Sequence, residues 1–305
     1  MLRIQLLGSF EITHDGEPVP GLMKSRMQAL LAYLLLHRQT PQSREYLAYT
    51  FWPESSESQA RTNLRRELHQ LRRTLSHTGD FLRSTDAQSS QWNPDILFSL
   101  DVADFEDMLA RADHSDSSLT RREFLQKAAA LYQGDLLPAL YDDWILPRRE
   151  ELRQKYIQAL EQLIVLLGSE RDYASAIQFA QRLLRYDPLH EAGYRQLMEL
   201  YALQNERARA LHTYHTCATL LERELGVPPS PETRALYERL LTARASPESA
   251  PSAKTLDTLR LVGRNPEWLA LLAAWRRSGE GHAHFVLIDG EAGIGKTRLA
   301  EELLE

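Results

Sequence analysis

Two stretches of this sequence place residue types at spacings that could do chemistry. Near the end, Gly290, Gly293, Gly295, Lys296 and Thr297 stand in the run GEAGIGKT, which fits G-x-x-x-x-G-K-[ST]. Glycines in such a loop let backbone amides curl around phosphate at a helix N-terminus. Lys296 would then reach the β- and γ-phosphates, and Thr297 would hold Mg²⁺. The apolar run Phe285–Ile288 reads as the preceding strand and Arg298–Leu304 as the following helix, the context this motif requires. The expected ligand is ATP with Mg²⁺. The chain stops at Glu305, eight residues past Thr297, with no room for a Walker-B aspartate or the remaining strands. The expectation is therefore a fragment of a longer regulator. This chain would need no cofactor and catalyse nothing itself, whereas a full-length parent would bind ATP.

The second stretch is a helix read from Glu57 to Leu75. At about 100° per residue, Ala60, Leu64, Leu68, Leu71 and Leu75 fall on one face. Thr62, Arg66, His69 and Arg73 fall on the opposite one, with Arg65 and Arg72 bordering one side and Asn63 and Gln70 the other. The segment holds five Arg and two Glu. Arginine's planar fork matches guanine O6 and N7 in the major groove, or grips phosphate. Thr62, Arg65, Arg66, His69, Arg72 and Arg73 are thus the candidate contacts to double-stranded DNA. A merely solvated arginine-rich surface is the competing reading, and it gives way only because the neighbouring elements supply a docking geometry.

Those elements begin with Leu2, Ile4 and Leu6 alternating with polar residues, followed by Phe10, Ile12 and a turn at Asp15-Gly16. A helix carries Met27, Leu30, Leu31, Leu34 and Leu35, and Ser43 can cap a second one that ends at Trp52-Pro53. After the arginine helix, Phe81-Leu82 and Ile96–Phe98 read as a hairpin around a polar loop. In such a wing Arg83, Gln91 or Trp92 could approach DNA. From Asp104 to Ala243 the pattern is helical throughout. Ala174, Ala176, Ile177 and Ala180 are echoed 34 residues later by Ala208, Ala210, Leu211 and Tyr214, the tetratricopeptide period. The fold class expected is mainly α with a small β component. It comprises a winged helix-turn-helix (1–100), a tetratricopeptide-like helical domain (101–244), a linker (245–258) and the start of a P-loop α/β domain (259–305).

Composition bounds the alternatives. Of 305 residues, 36 are basic and 42 acidic, a net charge of −6 that averages over unequal segments. The arginine helix carries a local +3, whereas Asp80–Asp113, with eight acids and two arginines, carries −6. Cys217 is the only cysteine, which excludes an intrachain disulfide. The longest apolar run, Ala29–Leu36, is too short to cross a membrane, so a cytoplasmic protein without membrane contact is expected. His212 and His215 near Cys217 read as helix surface and packing, and Asp142-Asp143 as a polar turn beside an anchoring Trp144. No G-x-S-x-G, H-E-x-x-H or paired catalytic carboxylates are found.

Residues 1–100, through LRIQLLGSFEI, KSRMQALLAYLLLHRQTPQSREYLAYTFWP and ARTNLRRELHQLRRTL, resemble the OmpR-like winged helix of the Streptomyces antibiotic regulatory protein family. LYQGDLLPALYDDWILPRREELRQKYIQALEQL and the segment from Arg171 through ELGVPPSPETRALYERLL resemble that family's bacterial transcriptional activation domain. Leu261–Arg264 resembles the leading segment of the AAA-like ATPases fused to its large members. The resemblance implies promoter binding at repeated sites, as a homodimer or in tandem, and activation by recruiting RNA polymerase. The Pro53–Ser58 turn would meet the polymerase or its sigma factor. Paired charges at Arg65 and Arg66 depart from the small or apolar residues common there, so the operator does not carry over. Two other readings remain open: a nucleotide-dependent signalling switch, and a tetratricopeptide-like scaffold whose N-terminal domain makes protein contacts.

Overall fold

The computed structural model describes residues 1–22, 24–75, 81–83, 88–93 and 95–242. Residues 290–297 and the linker lie outside that range. Residues 1–242 form one compact unit.

Strand β1 (Leu2–Gln5) pairs antiparallel with β2 (Glu11–His14), placing Ile4 opposite Ile12, and β3 (Glu17–Pro18) extends the sheet. Alternation decides the register, since Leu2, Ile4 and Ile12 all turn inward. Helix α1 (Ser25–Leu36) is buried along nearly its whole length. Strand β4 (Gln42–Ser43) leads into α2 (Arg44–Phe51), where the Ser43 hydroxyl caps the helix by accepting from the Tyr46 N–H at 3.4 Å. Helix α3 spans Glu57–Leu75, as its leucine spacing predicts. Glu57 in its first turn and Arg72 and Arg73 in its last favour the helix dipole.

The hairpin differs from the expected one. It joins β5 (Leu82–Arg83) to β6 (Ser89–Trp92), and β6 also pairs with β4. The Ile96–Phe98 run takes no part in it: β7 (Phe98–Leu100) crosses back to run parallel to β1. Polarity hid β6, because Ser89, Ser90 and Gln91 are buried. The burial is tolerated because these groups find partners. Ser90 Oγ accepts from Arg44 Nε at 3.1 Å, and the Gln91 amide donates to the Arg38 carbonyl at 3.0 Å. Trp92 packs between Phe81 and Phe98, each ring 5.1 Å away.

The second half is helical but not throughout. Helices α4 (Asp101–Asp113) and α5 (Ser118–Leu131) are followed by a non-helical loop, 132–142, and a short 3₁₀ turn at Asp143–Ile145. The remaining helices are α6 (Leu146–Ser169), α7 (Tyr173–Tyr186), α8 (Glu191–Leu203), α9 (Arg207–Leu225) and α10 (Pro231–Thr242). The loop docks on the end of β1. Gly8 N–H donates to the Asp135 carbonyl at 3.0 Å, and Leu137 N–H to the Leu6 carbonyl at 2.9 Å. Gly8, at φ +87°, and Gly134 approach so closely that a Cβ on Gly134 would lie 2.8 Å from the Gly8 Cα. The Arg149 guanidinium gathers the carbonyls of Leu136, Leu137 and Leu140 at 2.7–2.8 Å.

The 34-residue echo extends to the backbone. Between α6 and α7, Glu170 N–H donates to Leu166 O, Arg171 N–H to Gly168 O and Asp172 N–H to Leu167 O. Thirty-four residues on, Gln204 donates to Leu200, Asn205 to Ala202 and Glu206 to Tyr201. Arg171 and Asn205 share a φ of +63°. Among the described residues, no helix is long and apolar enough to cross a membrane.

Candidate nucleic-acid interface

One side of α3 closes the N-terminal core. Ala60, Leu64, Leu68, Leu71 and Leu75 are buried, and each leucine contributes about 1.5–3 kcal/mol by leaving water. With that side fixed, the other must face outward. Thr62, Arg65, Arg66, His69 and Arg73 are exposed and Arg72 is half-buried. The structure therefore brings all six predicted residues onto one helix. The Thr62 hydroxyl donates back to the Ser58 carbonyl at 2.9 Å, which leaves its lone pairs outward.

The outward face has two flanks. On one, Ser43, Arg44, Glu45, Arg61, Leu64, Arg65, Leu68 and Gln88 line a groove of about 250 Å³ where the N-terminus of α2 meets α3. Arg61 is held there by Glu57 and faces Glu45 at 4.0 Å. On the other, Arg66, His69, Gln70, Arg73 and Thr74 face Pro20 and Gly21 across a shallow groove of about 590 Å³. Arginines on both flanks make this a positive surface able to accept anionic backbone oxygens.

The expected wing contacts are corrected in part. Gln91 and Trp92 are buried in β6 and cannot reach outward, while Arg83 is exposed and lies 3.7 Å from Asp95. Sequence reasoning also missed Glu67, which is only 6% exposed and leaves its Oε2 without a hydrogen-bond partner. The helical wheel held that signal, since Glu67 falls within about 40° of Leu71 at about 100° per residue. Ser43, Arg44 and Gln88 were missed because they reach the groove only through the β4–β6 pairing.

The other candidates resolve as packing. His212 and His215 are exposed on α9, and Cys217 is buried, its thiol pushed up to about 11 by burial. No cluster able to hold a metal exists among the described residues. Asp142 pairs with Arg26 at 2.8 Å. Trp144 stacks edgewise on Tyr33 of α1 at 5.1 Å and lies 5.9 Å from Phe51 of α2. It thus anchors the helical part to the N-terminal part, more than the helix pack to itself.

A winged helix with a basic outer helix, tied to a stack of helical hairpins, defines a class of regulator. Comparison with known proteins shows what this chain is similar to. Residues 100–241 match the bacterial transcriptional activator domain, and residues 260–305 match an AAA ATPase domain. The chain is 28% identical to the regulatory protein AfsR of Streptomyces griseus, over 98% of this chain and 32% of that protein. It is 26% identical to the transcriptional regulatory protein MoaR1 of Mycobacterium tuberculosis, over 79% of each. The solved structure of Mycobacterium tuberculosis EmbR, in complex with a low-affinity phosphopeptide, superposes with a TM-score of 0.65. That match has 26% identity and covers 79% of this chain and 65% of that one. The chain is thus similar to transcriptional regulators of the Streptomyces antibiotic regulatory protein kind across its first 241 residues. It spans about a third of the length of the AfsR proteins it matches.

Proposed function

We propose that the chain is a transcriptional activator that docks α3 in the major groove of promoter DNA and recruits RNA polymerase or its sigma factor. The observation that carries this reading is the two-sidedness of α3, with five buried apolar side chains on one face and exposed Thr62, Arg65, Arg66, His69 and Arg73 on the other. Arg66 and Arg73 supply forked donors to base edges, and Arg65 and Arg72 border them towards the phosphates. Residues 1–100 act as the reader and 101–244 as the helical partner that organises neighbouring protomers on repeated sites. The 245–258 segment links them to residues 259–305, the start of an ATPase domain. Within the residues that match an AAA ATPase domain, Gly290, Gly293, Gly295, Lys296 and Thr297 hold ATP and Mg²⁺. On this reading the described part works by binding and not by catalysis.

The test is selection of a duplex from a randomised pool by the whole chain, followed by gel shift of the selected sequence. Arg66→Ala with Arg73→Ala should weaken binding by at least about 30-fold, since each good bidentate contact contributes about 1–3 kcal/mol. It should also flatten the salt dependence. Unchanged affinity in the double variant, with the helical circular dichroism intact, overturns the assignment.

A further inference from the structure

The first turns of α3 offer a different chemistry from the rest of its outward face. Arg61 is drawn back to Glu57 on the preceding turn, and the Thr62 hydroxyl gives its proton to the Ser58 carbonyl at 2.9 Å. Beside them stands a pair of amides. Gln59 Nε2 donates to Asn63 Oδ1 at 3.1 Å, with Gln59 exposed and Asn63 half-buried. That bond takes one of the two amide protons of Gln59 and leaves its other N–H and its Oε1 to a partner. Seven residues separate Gln59 from Arg66, and seven more separate Arg66 from Arg73. On a helix, seven residues fall about 20° short of two turns. Gln59 therefore heads the stripe that carries both arginines, about 10 Å before Arg66 along the axis.

In a helix-turn-helix docked on DNA, the N-terminal residues of the helix in the major groove are the ones that reach base edges. Adenine presents there an acceptor, N7, beside a donor, the N6 amino group; guanine presents two acceptors, N7 and O6. A guanidinium only donates, so it suits guanine and leaves adenine N6 without an acceptor. A carboxamide both donates and accepts from adjacent atoms, which is the complement of adenine. Resting on the DNA-docking reading above, we infer that Gln59 reads an adenine in the major groove. Its Oε1 accepts from the N6 amino group and its Nε2 donates to N7. Asn63 is the positioning residue. Its Oδ1 restrains the glutamine amide before DNA arrives, so less side-chain freedom is lost on docking. The operator then carries an A·T pair where the start of α3 enters the groove, ahead of the pairs met by Arg66.

The experiment selects duplexes from a randomised pool with the whole chain, and again with Gln59→Ala. One adenine preference should vanish in the variant while the others persist. Dissociation constants are then measured on the selected duplex and on a copy with guanine in place of that adenine. The native chain should favour the adenine duplex roughly 5- to 150-fold, the span of one bidentate base contact. Gln59→Ala should bind the two about equally, and Gln59→Arg should reverse the order in favour of guanine. Asn63→Leu should shrink the native ratio, and Asn63→Asp, which keeps an acceptor for the Gln59 N–H, should restore it. A loss of helix packing would not move that ratio. Replacing the adenine by 7-deazaadenine, which lacks the N7 acceptor, should weaken the native chain and leave Gln59→Ala unchanged. Unaltered base preferences in Gln59→Ala overturn the inference while leaving the DNA reading intact. So does an equal weakening on both duplexes, which would make Gln59 a phosphate contact. Failure of the native chain to select any duplex overturns both.

Discussion

Where β1 meets the loop after α5, backbone and side-chain groups are matched to one another at short range. Along the outer face of α3, long basic side chains project from an otherwise fixed helix. At the first place Asp101 accepts from the Leu6 and Leu7 amides at 2.8 and 2.7 Å, Gly8 and Gly134 touch backbone to backbone, and Arg149 collects three carbonyls. At the second, Arg65 and Arg66 are exposed although a leucine stripe of the same helix is buried. The difference separates residues that hold the architecture from exposed residues that the proposed docking would use. Substitutions at the junction should cost stability, and substitutions on the outer face should cost only binding.

The largest expected effect comes from the inner side of α3. Leu68→Ala removes a fully enclosed side chain and should lower unfolding stability by about 3 kcal/mol in urea denaturation. A loss below about 1 kcal/mol would mean that α3 is not locked into the core. Gly134→Ala comes next at about 2–3 kcal/mol, because the added Cβ meets backbone at Gly8 that has no side chain to swing aside.

Asp101→Ala should cost about 2 kcal/mol or more by leaving three buried amides, of Leu6, Leu7 and Val102, without this acceptor. Asp101→Asn, which keeps an acceptor oxygen, should recover most of that. Burial raises the Asp101 carboxyl above the ordinary carboxylate range, against the amide hydrogen bonds that lower it. A raised carboxyl favours the folded state in acid and loses that contribution as pH rises through its folded value. The stability gap between Asp101→Asn and the native chain should therefore change in the asparagine's favour from pH 4 to pH 7.

At the bottom of the scale, Arg66→Ala with Arg73→Ala should move stability by no more than about 0.5 kcal/mol. A large stability loss there would erase the contrast between the two regions. A small one, together with lost DNA binding, sharpens it.

Much of this was readable from residue order. The α3 limits, its leucine stripe and the outward set from Thr62 to Arg73 follow from period alone, because a helix with one apolar stripe has only one way to face a core. The 34-residue echo was legible in the small residues Ala174, Ala176, Ala208 and Ala210, and the structure extends it to the hydrogen bonds of the two turns. Strand β6 was illegible. Ser89, Ser90 and Gln91 look like loop, and the Arg44 guanidinium and the Arg38 carbonyl, which offset the burial of Ser90 and Gln91, come from distant parts of the chain. Glu67 was overlooked because a charged residue on an inner face contradicts pattern reading.

The sequence by itself determined which residues of α3 share a face, where α3 begins and ends, and that a run fitting the phosphate-loop pattern stands at 290–297. Local periodicity and turn chemistry fix those features over a few residues. Only the tertiary structure decided that the 132–145 loop completes the N-terminal domain and that β7 returns beside β1. It also placed Trp144 against Tyr33 and Phe51. Those contacts join residues about ninety or more positions apart, and no local preference encodes them. They form because Leu136, Ile145 and the Trp144 ring can leave water only by meeting surfaces that distant parts of the chain have already assembled.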